Sequence, residues 1–430
     1  MIVSYLCNKL IDPLFIKSYK QNIMDFTRER KLTFMNVFIL IFRNTVKSLQ
    51  IMLNEFILLK NYTFTITASA FSQARRKLKY TAFKELNENI VSLYYQDQIT
   101  KKLFDLRIIG CDASFVTLPK NEKIKEFFGV RTIKNQTGND FGVYSRGIFQ
   151  TFYDVLNNIC IESTLEPGNM YEAELAAKHL DKFSSADLII FDRGYTAYPF
   201  LANLFKLNLN YIIRASKASF FEVRNMFKME NQCSKIVDLK VPAKHAKRIR
   251  ELGLPDVIKV KLVKVVLDSG EPEVLITSLI EQNWITEEDF KILYGLRWGV
   301  ETFYSKVKGR LELENFTGKN IESIKQDFWS TILISNLETI LTEDDQQTLD
   351  NIDKNKHKKI INKAVSFNSI KNMAFEIFDT ENNKDKVFDK LTKLFLMNTV
   401  TKRSGREIPR VKISDIRSLN YQKRIKKRIF

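Results

Sequence analysis

The sequence predicts an α/β protein in which helices flank a mixed sheet, with a β-rich insertion and a mainly helical N-terminal region. Three observations support this fold class. Around Leu106 the apolar residues change from helical spacing to strand-like runs. From there to Arg214 the predicted elements follow the order β-β-β-α-β-α-β, which describes a mixed sheet with helices on its faces. In residues 293 to 311, apolar side chains then recur at steps of three and four. This spacing predicts an amphipathic helix that packs on such a sheet.

The N-terminal region, residues 1 to 104, is predicted to be helical, basic and DNA-binding. Its most apolar run, Phe34 to Phe42, is too short to span a bilayer, so we expect a buried helix there. Ser69 is predicted to cap a later helix that carries Arg75 and Arg76. These arginines are candidate contacts for DNA phosphates, and the alternative is a solvated cationic face on a packing helix.

The predicted sheet begins with the apolar run from Arg107 to Ser114, which contains Asp112. The polar residues 120 to 145 that follow are predicted to be a loop. A later apolar run, Leu188 to Phe191, is continuous enough to be buried on both faces and leads directly into Asp192. The other predicted elements are strands at residues 146–156, 159–165 and 209–214, and helices at residues 171–183 and 198–207.

The remaining predicted segments complete a division into five parts. Residues 215 to 285 contain three strand-like runs and form the β-rich insertion. An amphipathic helix is predicted at residues 321 to 341. The predicted domains are the helical N-terminal region (1–104), two parts of the α/β core (105–214 and 286–345), the insertion (215–285) and a helical, basic C-terminal region (346–430).

The charge and the cysteine pattern limit the possible classes of protein. The net charge of +18 over 430 residues suggests a polyanionic partner, most often nucleic acid, with an anionic membrane surface as the alternative. Residues 401 to 430 alone hold a net charge of +9. Such a basic tail is usually either a nucleic-acid contact or a solvated extension. Four scattered cysteines argue against structural zinc and a secreted disulfide framework. Without an evident signal peptide or membrane span, we expect a cytoplasmic protein.

One segment, residues 293 to 308, combines an apolar stripe with a polar one. Tyr294, Arg297, Glu301 and Lys308 lie within roughly 60° of each other at the helical period. The polar stripe therefore presents a carboxylate beside an aromatic hydroxyl and two cations. In an isolated helix, the alternative is a weak exposed pair of Arg297 and Glu301, which stand in the less favourable order.

Two acids at strand ends and one on a later helix are suited to a metal site. Asp112 and Asp192 would lie on adjacent strands, and Glu301 would reach them from its helix. Carboxylates without histidine or cysteine favour hard cations such as Mg²⁺ or Mn²⁺. The alternative for each aspartate is a turn cap.

These residues resemble a known family. Asp112, Asp192 and Glu301 are similar to the D-D-E triad of cut-and-paste DNA transposases with a ribonuclease H-like core. The Y-x2-R-x3-E-x6-K signature of the insertion sequence four family fits residues 294 to 308 at every spacing. The resemblance covers about residues 60 to 345, and Ala113 departs from the glycine that often follows the first acid in the family.

Two further segments resemble the sequences of that family. One is Asp192 to Tyr195, around the second acid, and the other is Ala70 to Arg75 in the N-terminal region. The β-rich insertion before the last acid is also a family feature. The resemblance implies a ribonuclease H-like fold for the core of this chain. It also implies a transposase that cleaves transposon ends and transfers the freed strand into target DNA.

The resemblance implies roles for individual residues as well. The three acids of the triad would hold two Mg²⁺ ions, with Mn²⁺ as a possible substitute. Tyr294, Arg297 and Lys308 would bind phosphates at the cleaved end, and Arg193 is a further DNA-binding candidate. The implied partners are double-stranded DNA, both terminal inverted repeats and target, with a homodimer in the DNA complex. The implied location is bacterial cytoplasm, at the nucleoid when DNA is bound, without membrane attachment.

Two other functions remain open at this point. A ribonuclease H-like nuclease would cleave DNA without joining strands, and specific binding to terminal repeats would distinguish the two. A non-enzymatic DNA-binding protein derived from a transposase is the second alternative. The intact triad argues against it, because a non-enzymatic protein would lose no activity if one of the three acids were replaced.

Overall fold

The computed structural model describes residues 1–28, 30–43, 47–97, 100–134, 138–282, 284–352, 358–379 and 383–402. The chain divides into two compact units. Unit 1 comprises Met1–Gln98, Val116–Gly147 and Ser305–Phe430, and unit 2 comprises Ile99–Phe115 and Ile148–Tyr304. Most of the basic C-terminal tail, residues 403 to 430, lies outside the described residues, so its expected DNA contact stays a prediction.

The strands confirm the predicted α/β class with a mixed sheet. One sheet has eight strands in the order β5-β4-β1-β6-β7-β10-β9-β8, and two small sheets pair β2 with β3 and β11 with β12. The strands are β1 (Arg107–Thr117), β2 (Arg131–Lys134), β3 (Asp140–Tyr144), β4 (Arg146–Asp154), β5 (Ile159–Pro167), β6 (Asp187–Phe191), β7 (Asn210–Ala215), β8 (Cys233–Lys240), β9 (Val257–Val266), β10 (Pro272–Thr277), β11 (Lys359–Ile361) and β12 (Thr399–Thr401).

Helices account for most of the remaining described structure. In chain order they are α1 (Ile2–Ile11), α2 (Pro13–Tyr19), α3 (Phe34–Arg43), α4 (Leu49–Leu59), α5 (Ala68–Arg75), α6 (Thr81–Asp97), α7 (Glu122–Phe128), α8 (Glu172–Ala177), α9 (Tyr198–Lys206), α10 (Phe221–Lys228), α11 (Ala246–Glu251), α12 (Glu287–Gly295), α13 (Trp298–Ser305), α14 (Ile321–Ile352), α15 (Lys363–Asn372), α16 (Ala374–Ile377) and α17 (Lys384–Met397).

The centre of the sheet is parallel. Strand β6 lies between β1 and β7 and runs parallel to both. All five of its residues are buried, as expected for a strand with both faces covered. Strand β10 pairs antiparallel with β7 and with β9, and β9 pairs antiparallel with β8. The strands predicted within residues 215 to 285 therefore extend this same sheet.

Alternate residues of β1 and β6 enter two separate apolar clusters, one on each face of the sheet. Ile109 and Phe191 belong to the cluster that also contains Ala176 of α8. Ile108 and Ile190 belong to the cluster that contains residues of α12. Helices α8 and α12 therefore cover opposite faces.

A glycine lets α13 approach the sheet closely. A Cβ on Gly110 of β1 would lie 2.2 Å from Cγ2 of Val300, a distance that no side chain tolerates. A Cβ on Gly299 would likewise lie 2.9 Å from Val155. Gly110 thus lets α13 pack closely on β1 near Asp112, and Gly299 lets it pack against Val155.

In unit 1, the long helix α14 packs against α3, α6, α15 and α17. Helix α3 is the predicted apolar run at Phe34, and its apolar side chains are almost all buried, which confirms the expected buried helix. None of the described helices has the length together with the hydropathy to cross a bilayer.

Two local predictions in unit 1 were wrong. Residues 120 to 145 are not a loop, because they contain α7 and the hairpin of β2 and β3. Helix α7 is capped by the Asn121 side chain, and it buries Ile124 and Phe128, which lie four residues apart. Helix α5 begins two residues earlier than predicted, because Thr67 rather than Ser69 is the N-cap and accepts the hydrogen bond from the Ala70 amide.

Candidate active site

Asp112 and Asp192 lie at neighbouring positions on parallel strands. The pairing of β1 with β6 ends at Cys111 and Phe191, which are register partners. Asp112 is the next residue of β1, and Asp192 is the first residue after β6. Strand β1 continues to Thr117, so Asp112 marks the end of this pairing and not the end of its strand. The parallel register thus places both acids at one edge, as the sequence predicts.

Glu301 is on α13, but the helix predicted across residues 293 to 308 is two helices. Helix α12 ends at Gly295, and α13 begins at Trp298. Between them the Arg297 amide donates to the Tyr294 carbonyl, and the Val300 amide donates to the Arg297 carbonyl. These bonds span three residues, so the backbone tightens there as in a 3₁₀ turn. Arg297 lies at this junction and its side chain is buried.

The guanidinium of Arg297 joins two of the acids. Its Nη1 lies 3.4 Å from Oδ2 of Asp112, and its Nη2 lies 3.1 Å from Oε1 of Glu301. Burial by itself would lower the pKa of Arg297, but Tyr294 and the three acids together raise it. Arg297 is therefore a permanent cation held among carboxylates.

Asp192 is held by a tyrosine and an arginine. The Tyr294 hydroxyl donates to Oδ1 of Asp192 at 3.3 Å, and Nε of Arg214 lies 3.6 Å from the same oxygen. Arg214 in turn donates from Nη1 to Oε1 of Glu273 at 2.6 Å. Burial raises the pKa of Tyr294 well above its ordinary value, so its hydroxyl remains a donor at neutral pH.

A phosphate contact by Tyr294, expected from the family resemblance, would require this hydroxyl to leave Asp192. Arg214 and Glu273 were missed at the sequence level. Arg214 could have been found, because it lies near the end of β7, the parallel neighbour of β6.

Glu172 is a fourth acid that the sequence-based prediction missed. It is the first residue of α8, after the turn at Pro167. Burial raises its pKa first, and the charges of Asp112 and Asp192 raise it further. Its proximity to both aspartates is a property of the folded chain, because no spacing in the sequence links it to them.

The pKa of Asp112 shows how the site balances its charges. Burial raises this pKa, the Ala113 amide and Arg297 lower it, and Asp192 and Glu301 raise it. The Ala113 amide donates to Oδ1 of Asp112 at 2.8 Å. Three carboxylates thus share two arginines, of which Arg214 is also paired with Glu273. Glu172 adds a fourth carboxylate, whose pKa the charges of Asp112 and Asp192 raise. The cluster has more negative than positive charge.

Tyr304 positions the backbone at Asp112. Its hydroxyl lies 2.6 Å from the Asp112 carbonyl oxygen and 3.1 Å from the Phe149 carbonyl oxygen. Tyr304 lies one turn after Glu301 on α13. This tyrosine therefore fixes β1 and β4 to the helix that carries Glu301.

The donor set suits a hard divalent cation, but the side chains are not arranged around one. Among the described residues, no group of three or more His, Cys, Asp or Glu is close enough to hold a metal ion. Arg297 instead contacts Asp112 and Glu301. A partly buried cluster of carboxylates with excess negative charge fits Mg²⁺ or Mn²⁺ in its chemistry.

The DNA-binding candidates fall into different environments. Arg193 is exposed in the turn after Asp192, and Arg76 is exposed at the end of α5. Lys308 is half-buried in a π-helical turn of unit 1, where burial lowers its pKa and Glu314 partly offsets this.

The predicted DNA contact of Arg75 is not supported, because its side chain is buried inside unit 1. Its guanidinium donates to the Asp327 carboxylate at 2.8 Å and to the Ser323 carbonyl at 2.8 Å. It also donates to the Gln326 side chain at 2.7 Å and to the Thr317 hydroxyl at 2.5 Å. Four of its five N–H donors are thus used within the protein.

A family model described as "Transposase DDE domain" matches residues 104–337, which include Asp112, Asp192 and Glu301. No curated protein matches the chain. Among solved structures, the chain is similar to the cryo-EM structure of a piggyBac transposase synaptic complex with hairpin DNA. The TM-score is 0.49 and the identity 11%, over 97% of this chain and 88% of that chain.

Proposed function

The chain belongs to the transposase DDE domain family, whose model matches more than half of it, and from this premise we propose that it is a cut-and-paste DNA transposase of the insertion sequence four type. It cleaves DNA at the ends of its element and joins the freed 3′ ends to target DNA. One observation carries the proposal. Asp112 and Glu301 contact a single guanidinium at the sheet edge where Asp192 follows the neighbouring strand.

The three acids are the proposed ligands for two divalent ions, Mg²⁺ or Mn²⁺. When bound, such ions activate a water or a 3′-hydroxyl and stabilise the leaving oxygen in phosphodiester displacement. Asp192 is oriented for this role by Tyr294 and Arg214, each of which contacts its Oδ1. Asp112 is oriented by its own amide neighbour and by the anchor that Tyr304 provides on the carbonyl.

Arg297 has two successive roles in this proposal. In the structure it neutralises Asp112 and Glu301, which would otherwise repel each other in a partly buried site. Cations held by Asp112 and Glu301 would take over this neutralisation and would free the guanidinium. Its fork geometry then suits a DNA phosphate, which carries the charge that the acids no longer offer.

The proposed DNA contacts beyond the acids are Lys308, Arg193 and Arg76. Lys308 supplies a point charge for the cleaved end. Arg193 and Arg76 are exposed cations of the kind that bind phosphates without reading sequence. The net charge of +18 supports a polyanionic partner, and we propose a homodimer on paired terminal repeats.

The test is a cleavage and joining assay with the full-length protein and Mg²⁺. Its substrate is double-stranded DNA that carries the inverted repeats bracketing the coding DNA, together with a supercoiled target. Cleavage at the repeats followed by joined products is the expected result. Cleavage without joining would identify a nuclease of the same fold, and specific binding without cleavage would identify a non-enzymatic derivative. Asp192→Asn should abolish both steps, and the exposed Glu288→Gln should change neither.

A further inference from the structure

A cavity of about 910 Å³ lies within unit 1. Its lining residues all lie between Leu10 and Lys77, whereas the three acids of the proposed active site belong to unit 2. The walls come from α1 and α2, the segment between α2 and α3, the start of α3, and α5 with the residues before it. The volume is within the range of sites that bind small molecules, about 300–1,000 Å³.

The floor of the cavity is apolar. Leu10 of α1, Phe34 of α3 and Ile66 before α5 line it, and each is at most 5% exposed. Phe26 packs edge-on against Phe34, with the ring centroids 5.4 Å apart. Phe26 also has a φ of 56°, a left-handed conformation that is strained for a bulky side chain. Strain of this kind is often found beside ligand sites.

Phe64 gives the cavity an aromatic wall. Its ring stacks on Tyr62 with the centroids 5.2 Å apart and an interplanar angle of 18°. The Lys31 ammonium lies 5.7 Å from the centroid of the Phe64 ring. The Phe64 side chain nevertheless remains 40% exposed. A ring that its neighbours hold in place, and that is still open on one side, is a platform on which a nucleic-acid base can stack.

The charged side chains that line the cavity are mostly cations. They are Arg28, Arg30, Lys31 and Lys77, against a single acid, Asp25. Lys77 pairs with that acid at 3.6 Å. Arg28 and Arg30 are exposed, and neither forms an ion pair with any residue that the structure describes. The cavity therefore offers positive charge to an anion beside its apolar floor.

The segment that carries these cations is held at both ends. Before it, the Gln21 amide donates to the Lys77 carbonyl oxygen at 2.8 Å. After it, the side-chain amide of Asn36 donates to the Lys31 carbonyl oxygen at 2.8 Å. The wall is thus formed before a ligand arrives, which reduces the ordering that binding has to impose.

The composition of the lining selects the kind of ligand. An inorganic anion would leave the apolar floor unused, and an apolar ligand would leave the cations without a partner. A nucleotide satisfies both, because its base has flat faces that stack on aromatic rings and its phosphate is negatively charged. A base inside a duplex is stacked between its neighbours, so only an unpaired or extruded base can enter a cavity.

We propose that this cavity binds one unstacked nucleotide of a DNA strand, an inference that rests on the proposed function because its partner is DNA. The base packs against the rings of Phe64 and Phe26. Arg28 and Arg30 bind the phosphates next to it. Exposed cations elsewhere on the chain bind paired and unpaired DNA alike, whereas this cavity adds affinity only where a base has left the stack.

Helix α5 permits a variant that closes the cavity without removing a charge. Ala70, Gln73 and Ala74 line the cavity at steps of three and four, so one face of the helix borders it. Ala70→Trp places a large side chain in the cavity and leaves every cation in place. Ala70 is exposed in the absence of a ligand, so the fold should tolerate the change.

The first measurement is fluorescence anisotropy of two labelled probes titrated with the full-length protein. One probe is an oligothymidylate of about 12 nucleotides, within the usual range of single-strand site sizes, and the other is a duplex of equal length. Ala70→Trp should weaken binding of the oligothymidylate by about fivefold or more, the lower end of what one stacked base contributes. Its affinity for the duplex should equal that of the wild type.

Two further variants separate the base contact from the phosphate contact. Phe64→Leu keeps an apolar side chain but removes the ring, and it should lose oligothymidylate affinity as Ala70→Trp does. Phe205→Leu is the matched control, because Phe205 of α9 is 44% exposed and does not line the cavity. Arg30→Gln should reduce the slope of log affinity against log salt for the oligothymidylate by about 0.7. Lys17→Gln, at an exposed lysine of α2 outside the cavity, should not change it.

Thermal unfolding of every variant shows whether its fold is intact. Because Arg30 is exposed, Arg30→Gln tests the cavity even if a substitution at Ala70 or Phe64 unfolds the protein. Folded Ala70→Trp and Phe64→Leu that bind the oligothymidylate as the wild type does would show that the cavity holds no nucleotide, and an unchanged salt slope in Arg30→Gln would show the same. The occupant would then be an apolar side chain of another protein or no ligand at all.

Two other outcomes identify different errors. Displacement of the oligothymidylate by thymidine 5′-monophosphate at concentrations near the dissociation constant of the oligonucleotide would make the occupant a free nucleotide, and the proposal of a DNA strand would be wrong. If the cavity variants bind like the wild type while the wild type cleaves and joins terminal-repeat DNA, the nucleotide site is wrong and the proposed function stands. If the wild type binds neither probe in a salt-dependent manner, the proposed function is wrong as well.

Discussion

Arg297 and Glu301 form an ion pair, 3.1 Å from Nη2 to Oε1, across the junction at which α12 gives way to α13. The pair is not the exposed surface contact that an isolated helix would offer, because Arg297 is only 6% exposed. The same guanidinium also reaches Asp112 on β1. One cation therefore connects the last acid of the proposed triad to the first.

Glu301→Gln tests whether this carboxylate takes part in cleavage. The amide is nearly the same size but lacks the charge that a divalent ion needs, so cleavage at the terminal repeats should be abolished. Binding to the repeats should be intact or tighter, because one source of repulsion towards phosphate is gone. Nicking assays and filter binding on the same DNA measure the two effects.

Glu288→Gln is the matched control for that variant. Glu288 is an exposed acid on α12 that pairs with Lys291 at 3.5 Å. It should cleave and bind as the wild type does. Wild-type nicking by Glu301→Gln would mean that Glu301 is only a partner of Arg297, and the catalytic assignment of α13 would be wrong.

Replacing Arg297 by alanine should have opposite effects on stability and on metal binding. Without metal, Asp112 and Glu301 lose their shared cation, and the free energy of unfolding should fall by about 1–3 kcal/mol, the scale of a charge-assisted contact. Mn²⁺ should bind more tightly, because the acids no longer have to release a guanidinium. Retention of the cleaved DNA end should weaken by about 1–3 kcal/mol as well.

Arg297→Lys is the control, because it keeps the charge but cannot contact two carboxylates with one planar group. It should retain part of the stability and lose most of the end retention. Chemical denaturation in EDTA, Mn²⁺ titration and dissociation of nicked DNA measure the three quantities. Unchanged stability and unchanged Mn²⁺ affinity in Arg297→Ala would show that the guanidinium does not engage the acids in solution.

Much of the sheet could be predicted from the sequence, because its signals are local. The apolar run at Leu188 to Phe191 and the acid after it required only burial on both faces and a parallel neighbour. The relation of Asp112 to Asp192 follows from the same reasoning. Residues 257 to 266 and 272 to 277, with a turn between them, likewise carry the alternation of a hairpin.

What could not be predicted depends on long-range packing or on small changes of backbone. The joint at Leu296 and Arg297 was missed, because a 3₁₀ turn preserves the apolar spacing of a continuous helix. Glu172 was missed, because its neighbours Asp112 and Asp192 are distant in sequence. Arg75 was assigned to DNA because a basic helix looks the same in sequence whether its arginine is exposed or buried.

Lys308 gives the proposed end-binding step a pH dependence. Burial lowers the pKa of this lysine, so its charge is present below that pKa and is lost as the pH rises through it, earlier than for an exposed lysine. Lys308→Ala should nick normally and release the cleaved end faster. Lys308→Arg should hold the end at alkaline pH where the wild type begins to release it, because the guanidinium remains charged.

The measurement is the dissociation rate of pre-nicked terminal DNA from neutral to alkaline pH, with Mg²⁺ held constant. Lys84→Arg, at a partly buried lysine of α6 that pairs with Glu88, controls for a general effect of arginine on DNA affinity. Parallel pH profiles for the wild type and Lys308→Arg would show that Lys308 does not contribute its charge to the end.

Arg75 and Arg76 are neighbours in sequence with opposite expected behaviour. Arg75→Ala leaves the Asp327 carboxylate, which is 1% exposed, without its cation, so we expect a loss of about 3–5 kcal/mol in the free energy of unfolding. Arg76 is exposed, so Arg76→Ala should leave stability within about 0.5 kcal/mol of the wild type. If Arg76 contacts a phosphate, its loss should reduce the slope of log affinity against log salt by about one. Denaturant unfolding and DNA titrations over a salt series separate the two roles. A reduced salt slope in Arg75→Ala at full stability would return Arg75 to the DNA-binding surface, and an unchanged slope in Arg76→Ala would remove Arg76 from it.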